Sequence, residues 1–291
     1  MNMQTTSTVF MVKPVRFGFN PQTAHSNAFQ RKDGYGKGVQ ENALREFTAY
    51  TSLLRGNGIN VILAEDTEQP RTPDSIFPNN WFSTHEDGTL VLYPMAAPNR
   101  REERKEHFLT IIKKNFKVTR TVDLTHYEEE GLFLEGTGSL VLDRENKIAY
   151  ACRSPRTNDK PLEDFCTQLG YTPVTFEATD QNGTQIYHTN VMMCMGSRYA
   201  IVCLDAIEDN DVRGHLLCSC LSGCRYKPSG EGKTHGIAQQ IWQKNHRNHF
   251  RTNEQLCRQH AGTQRSRREK APRNVCLCQK EPHPGTKQRI K

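Results

Sequence analysis

Long apolar stretches are missing from this sequence. In 291 residues no hydrophobic run approaches the roughly 20 needed to cross a bilayer as a helix. Met1 to Thr8 is polar and carries no positive charge, so the pattern of a secretory leader is missing as well. Aromatic residues at 8% and 14 prolines argue against a coiled coil or a collagen. These absences lead us to expect a cytoplasmic protein with no membrane partner. What is present suffices for a core: 35% of residues are hydrophobic, and the length admits one large domain or two small ones.

Charge is unevenly placed. Residues 213–291 hold 17 Lys/Arg against 4 Asp/Glu, whereas residues 1–212 hold 22 against 28. Six of the 10 cysteines also fall after position 212. So abrupt a change has three explanations: a basic binding tail, a metal-binding tail, or a tail outside the natural reading frame of its gene.

The first 212 residues repeat a unit of amphipathic helix, turn, strand and acidic residue near a Thr. In the first copy Ala43, Leu44, Phe47, Tyr50 and Leu54 mark the apolar face of a helix over Glu41–Arg55. Gly56-Asn57-Gly58 ends it, Asn60–Leu63 reads as a buried strand, and Glu65 follows. The second copy is a helix over Glu102–Lys114, a strand at Lys117–Val122 and then Asp123. The third is a helix over Leu162–Leu169, a strand at Thr172–Phe176 and then Glu177. A period of about 55 residues suggests stacked or circular modules. Val9–Val12, Thr89–Tyr93, Ser139–Leu142, Ile148–Cys152 and Tyr199–Leu204 are further short apolar runs, so each module reads as ββαβ in an α/β protein.

Three polar motifs sit where strands end. Pro73-Asp74-Ser75-Ile76-Phe77-Pro78-Asn79-Asn80-Trp81-Phe82 is a poor strand interior, and a Trp among Asn residues could stack on a ligand. Leu132-Phe133-Leu134-Glu135-Gly136-Thr137-Gly138-Ser139 sets a carboxylate after three apolar residues, and a carboxylate buried there needs a cationic or hydrogen-bonding partner. Its glycines let another chain segment approach closely. In Ile186-Tyr187-His188-Thr189-Asn190-Val191-Met192-Met193-Cys194-Met195, His188 opens an apolar strand. Each motif alone also fits a structural role, as a capped loop, a turn and a satisfied histidine.

In this order the motifs resemble the guanidino-group-modifying superfamily, also called the pentein or amidinotransferase family. It contains arginine deiminases, dimethylarginine dimethylaminohydrolases and glycine amidinotransferases, and its citrulline-utilisation hydrolase branch is the nearest in pattern. The resemblance runs from about Val9 to Ile207, strongest at Asp74–Ser83, Tyr93–Arg104 with Pro98-Asn99-Arg100-Arg101, Glu135–Ser139 and Tyr187–Met195. It implies a five-bladed α/β propeller of ββαβ modules. The implied activity is hydrolysis of a C–N bond in an arginine- or citrulline-like small molecule, without metal or organic cofactor. His188 would be the acid/base, and Glu135 would bind the guanidinium and orient His188. Asn80 stands where relatives often carry a substrate-binding Asp, and Asp74 is the candidate to supply that charge instead.

The nucleophile breaks the pattern. In the family it is a Cys near the C-terminus after a Gly/Ser-rich turn, and no cysteine here has that setting. Cys152, Cys166, Cys194 and Cys203 read as small buried hydrophobes in strands or a helix. Cys218, Cys220 and Cys224, with Cys276 and Cys278, lack paired zinc-site spacing. If synonymous codons are chosen for Asn253 to Gln264 and read one base later, they give MNNFAGNMLEL, which resembles the family's next segment. We therefore expect residues 1–212 to be a partial catalytic domain, and residues 213–291 an out-of-frame, poorly ordered basic tail. The propeller would then stay open at an unpaired sheet edge, and the chain would lack turnover. The alternative is a non-catalytic protein that binds guanidino compounds through Glu135 and His188, or adheres non-specifically to nucleic acid through its tail.

Overall fold

The computed structural model describes residues 4–27, 30, 36, 38–197, 199–209, 211–214 and 216, and the backbone of 275–279. Four small sheets carry the architecture. Strand β1 (Thr8–Lys13), helix α1 (Val39–Gly56) and strand β2 (Asn60–Glu65) form a βαβ unit, its strands parallel with Thr8 opposite Asn60. Next come β3 (Phe82–Thr84), β4 (Thr89–Leu92), one-turn helix α2 (Pro98–Arg101), α3 (Glu106–Asn115) and β5 (Arg120–Asp123). Here β3 is antiparallel to β4, and β5 is parallel to it.

The pattern recurs after the one-turn helix α4 (Gly136–Ser139). Strands β6 (Leu140–Asp143) and β7 (Ile148–Cys152) are antiparallel, α5 (Asp159–Leu169) crosses over, and β8 (Thr172–Phe176) pairs parallel with β7. Among the described residues two of the three expected copies are complete ββαβ modules, and the first is a βαβ unit. Among the described residues no sheet closes on itself. The last sheet holds β9 (Met193–Met195), β10 (Tyr199–Cys203) and β11 (Val275–Gln279). Strand β11 lies antiparallel to β10, at the position that β5 and β8 fill in parallel. The edge of β10 is therefore covered rather than unpaired. Apart from this strand's backbone, the expectations for residues 217–291 lie outside the described residues.

Burial explains the local choices. All five residues of β7 are buried, so that strand reads as continuously apolar. One core cluster joins the two modules through Tyr93, Leu124, Leu134, Phe165 and Tyr171. Another gathers Val12, Trp81, Leu90, Phe108 and Ile112 under β1. Helix α3 begins at Glu106 rather than Glu102, because Pro98–Arg101 forms its own turn and the chain is extended at Lys105. Helix α1 turns Phe47 and Thr51 inward, which leaves Tyr50 54% exposed rather than on the buried face. The residue that takes the left-handed conformation beyond α1 is Gly58 (φ 79°) rather than Gly56. No described helix is long and apolar enough to cross a membrane.

Trp81 does not face a ligand. It is 0% exposed, tilted against Phe82 with ring centroids 4.6 Å apart and stacked with Phe108 at 6.4 Å. Apolar packing beneath the polar motif outweighs the pull of its Asn neighbours. The cysteines divide likewise: Cys152 and Cys166 are buried, Cys203 is half-buried, and Cys194 is exposed rather than buried.

Candidate functional site

The three polar motifs converge, and two glycines make the convergence possible. Glu135 precedes α4, Asn80 ends the 3-10 turn Pro78–Asn80, and His188 precedes the 3-10 turn Thr189–Val191. At Gly136 (φ +45°) a Cβ would lie 2.4 Å from the Asn79 carbonyl oxygen. At Gly138 it would lie 2.4 Å from Asn80 Nδ2 and 2.7 Å from His188 Cε1. Real Cβ atoms do not tolerate such distances, so both positions need glycine for close approach. The α4 turn is pinned in place: Glu135 N donates to Ser139 Oγ (2.9 Å), Ser139 Oγ to the Arg156 carbonyl (2.9 Å), and Thr189 Oγ1 to the Ser139 carbonyl (2.5 Å).

Glu135 is the electrostatic centre. It is 0% exposed, and its Oε2 lies 2.8 Å from His188 Nε2 and 3.4 Å from Arg156 Nη1. Its Oε1 accepts from the Ala96 N–H at 3.1 Å. Burial pushes its pKa up, but the hydrogen bond and charge of His188, with Arg156 and Arg100, more than offset this and hold it well below the usual carboxylate range. An ionised carboxylate only accepts, so the proton shared with His188 sits on Nε2. Burial lowers the pKa of His188; Glu135 opposes the shift, and Arg156 and Arg100 reinforce it. Near neutral pH the pair is therefore an imidazole beside a carboxylate, with Nδ1 the basic nitrogen. Nδ1 packs against Gly138 and has no hydrogen-bond partner among the described residues.

Two arginines complete the cluster. Arg156 Nη2 donates to the Thr23 carbonyl (3.0 Å) and Ser26 Oγ (2.6 Å), and its guanidinium lies 4.9 Å over the Tyr187 ring. Arg100 forms a buried bidentate pair with Glu103 (2.9 and 3.0 Å) and donates through Nη1 to Asn80 Oδ1 at 2.7 Å. Burial raises Glu103 to about 7 against the pull of Arg100, with Asp74 and Glu135 adding to the rise.

Glu135, His188 and Asn80 thus form one cluster. Asp74 stands further out: its Oδ2 accepts from Asn20 Nδ2 (2.7 Å) and Thr23 Oγ1 (3.3 Å), while its backbone carbonyl accepts from Arg100 at 3.5 Å. His188 meets the cluster from an extended residue and a 3-10 turn rather than from the start of a strand. Sequence reasoning foresaw that Glu135 needs a cation but did not find which. Arg156 lies 21 residues away, and Arg100, although inside the resemblance, carries no mark of its carboxylate partner. A cleft of about 1010 Å³ between β1, α1 and β3 touches Asn79 and Thr137 but none of Asp74, Asn80, Glu135 or His188, so it is separate from this chemistry.

This mixed α/β fold matches pentein-superfamily structures. The N-terminal domain of ArgZ, an arginine dihydrolase of the ornithine–ammonia cycle in cyanobacteria, solved as a substrate-bound mutant, superposes with a TM-score of 0.56 at 19% identity. The match covers 73% of this chain and 72% of that one. The complex of AgrE with ornithine and NAD+ gives 0.57 at 18% identity, over 73% of this chain and 29% of that one. Against apo ArgZ the match covers 28% of that chain. Among curated proteins nothing matches. The family model described as N,N dimethylarginine dimethylhydrolase, eukaryotic, matches residues 13–222, and the chain belongs to that family of guanidino-modifying hydrolases.

The packing at Gly138 is directly testable. Gly138→Ala must displace Asn80 or His188, and an overpacked core costs about 1–3 kcal/mol. Urea denaturation should show a loss in that range; unchanged stability would mean that the three loops do not meet as described.

Proposed function

We propose that this chain carries the substrate-binding and acid–base half of a hydrolase for arginine- or citrulline-like compounds. The observation that carries the reading is the 2.8 Å contact between His188 Nε2 and the fully buried, ionised Glu135. A guanidinium carbon is a poor electrophile, because resonance spreads the charge over three nitrogens. Carboxylates must hold the cation, a thiolate attacks its carbon, and a histidine protonates the departing amine and then activates water. Glu135 retains acceptor capacity on Oε1, and His188 Nδ1 is free to take or give the proton. Asp74 supplies a second carboxylate at the rim. Asn80 lies beside His188 against Gly138, its Oδ1 held by Arg100.

The thiolate is what the described residues do not offer. Burial pushes the Cys152 thiol up to about 11 and the Cys166 thiol up to about 12, so neither ionises at neutral pH. Cys194 lies on β9 and Cys203 on β10, and neither is hydrogen-bonded to Glu135, His188 or Asn80 among the described residues. In our reading the chain binds its ligand and does not turn it over.

Residues 1–212 would be the catalytic unit, an incomplete five-bladed propeller in a cytoplasmic protein, and 213–291 an appended out-of-frame tail. The reversed direction of β11 relative to β5 and β8 supports that division. Sequencing the coding DNA across residues 205–291 tests it; a reading frame intact as given would argue against the appended tail.

Calorimetry with L-arginine should give binding by the full chain, weakened about tenfold or more in Glu135→Gln by loss of a charge-assisted hydrogen bond. Assays for released ammonia or amine should stay at background. Turnover by pure protein would overturn the inactivity, and absence of binding would overturn the site.

A further inference from the structure

We infer that the cleft beside β1 is a docking site for an extended segment of another polypeptide, laid antiparallel to β1 as a further strand. The inference goes beyond the reading of Glu135 and His188 and does not depend on it.

The repeat within the chain defines what the cleft lacks. In each of the other three sheets the central strand has an antiparallel neighbour on one edge: β3 on β4, β6 on β7 and β9 on β10. Strand β1 holds the equivalent central position, because α1 carries the chain from it to a parallel partner, as α3 and α5 do from β4 and β7. Among the described residues no strand pairs with its other edge. Nor do the residues leading into β1 turn back along it. Gln4 Nε2 donates to the Leu142 carbonyl at 2.7 Å and Gln4 Oε1 accepts from Arg144 N at 2.8 Å, which carries that segment away to β6.

Backbone groups and side chains are both left to be covered. Asn60 N donates to the Ser7 carbonyl (2.8 Å) and Asp66 N to the Lys13 carbonyl (3.0 Å). Alternate residues from Ser7 onward therefore turn their backbone to β2, while Thr8 and Phe10 turn theirs away. Thr6 Oγ1 accepts from the Thr8 N–H and donates to the Thr8 carbonyl, each at 3.1 Å. The N–H and C=O of Phe10 have no hydrogen-bond partner among the described residues. Unpaired groups on a strand edge are a template for another strand. Residues 8–11 line the cleft of about 1010 Å³ together with Tyr50 and Leu54, which lie one turn apart on α1. Tyr50 is 54% exposed there. A strand in the cleft completes the apolar face that the spacing of α1 predicts.

The shape of the cleft selects the occupant. Its lining flanks β1 with α1 on one side and with Phe82, Gly88 and Phe116 on the other. Paired strands lie about 4.8 Å apart. A second copy's β1, recessed behind the same walls, cannot come that close, whereas a lone extended segment can. Main-chain hydrogen bonds give such a segment its affinity, and alternate side chains its specificity. The partner therefore carries apolar residues at alternate positions, one of them against Tyr50 and Leu54.

Calorimetry of the full chain with a synthetic peptide of residues 138–145 (Gly-Ser-Leu-Val-Leu-Asp-Arg-Glu), which contains the antiparallel strand β6, tests the inference, with hydrogen exchange followed at Phe10. At ten times its dissociation constant the peptide should slow exchange of the Phe10 N–H about tenfold. Tyr50→Lys should weaken binding about tenfold, because the burial of half an aromatic side chain is lost, and Tyr50→Phe should keep it. Tyr50 is exposed in the free chain, so neither variant removes a core contact. The peptide with both its Val141 and Leu142 replaced by proline should not bind. Absence of binding, equal affinity in Tyr50→Lys, or equal binding of the proline peptide overturns the inference. Slow exchange at Phe10 in the free monomer overturns it too, since the edge is then covered by this chain itself. Slow exchange that appears only when light scattering shows a dimer assigns the edge to a second copy and likewise overturns it.

Discussion

The structure around the site depends on one buried negative charge. Glu135 is wholly removed from solvent, where an unpaired carboxylate would be prohibitively costly. It is kept ionised by His188, Arg156, a backbone N–H from Ala96 and the field of Arg100. Those partners come from separate stretches of chain. The loop at 20–27 must therefore reach Arg156, the α2 turn must bring Arg100 to Asn80, and the loop before β9 must bring His188 to α4. Gly136 and Gly138 allow the approach.

The same network divides the chemistry. Arg156 is spent on Glu135 and on the 20–27 loop, and Arg100 on Glu103 and Asn80. Neither is a free cation, and both act by fixing other groups. What packs against Gly138 is the amide nitrogen of Asn80 and the basic nitrogen of His188, Nδ1. A donor and a proton acceptor beside a buried carboxylate suit the handling of a planar guanidino or ureido group. They cannot form a covalent adduct without a thiolate.

Much of this was legible in the sequence where the signal was local. The ββαβ repeat emerged from helical spacing in 41–55 and 162–169 and from short apolar runs, and β7 and β8 fall where the expected strands lie. Glu135 and His188 stood out as a carboxylate after three apolar residues and a histidine before an apolar run. What was not legible depends on contacts distant in sequence. The partner of Glu135 at Arg156 and the bidentate hold of Glu103 on Arg100 carry no periodic signature. Trp81 misled because its polar neighbours mask a side chain that packs on Phe82 and Phe108. Tyr50 misled because α1 is buried along a narrower stripe, Phe47 and Thr51, than its apolar residues suggest.

The most direct test of the account is the titration of His188 followed by nitrogen-detected NMR, assigned by difference with a His188→Asn variant. Burial holds the imidazole below its ordinary range, so at pH 7 it should be neutral with its proton on Nε2. Because its folded pKa lies below the unfolded value of about 6.5, the stability tied to neutral His188 is present above that value and lost as pH falls through the folded pKa. Replacing Glu135 with Gln should lower the titration further, because the carboxylate is what favours the proton. An imidazole that titrates at or above 6.5, or one indifferent to Glu135→Gln, would contradict the paired, buried centre on which the account is built.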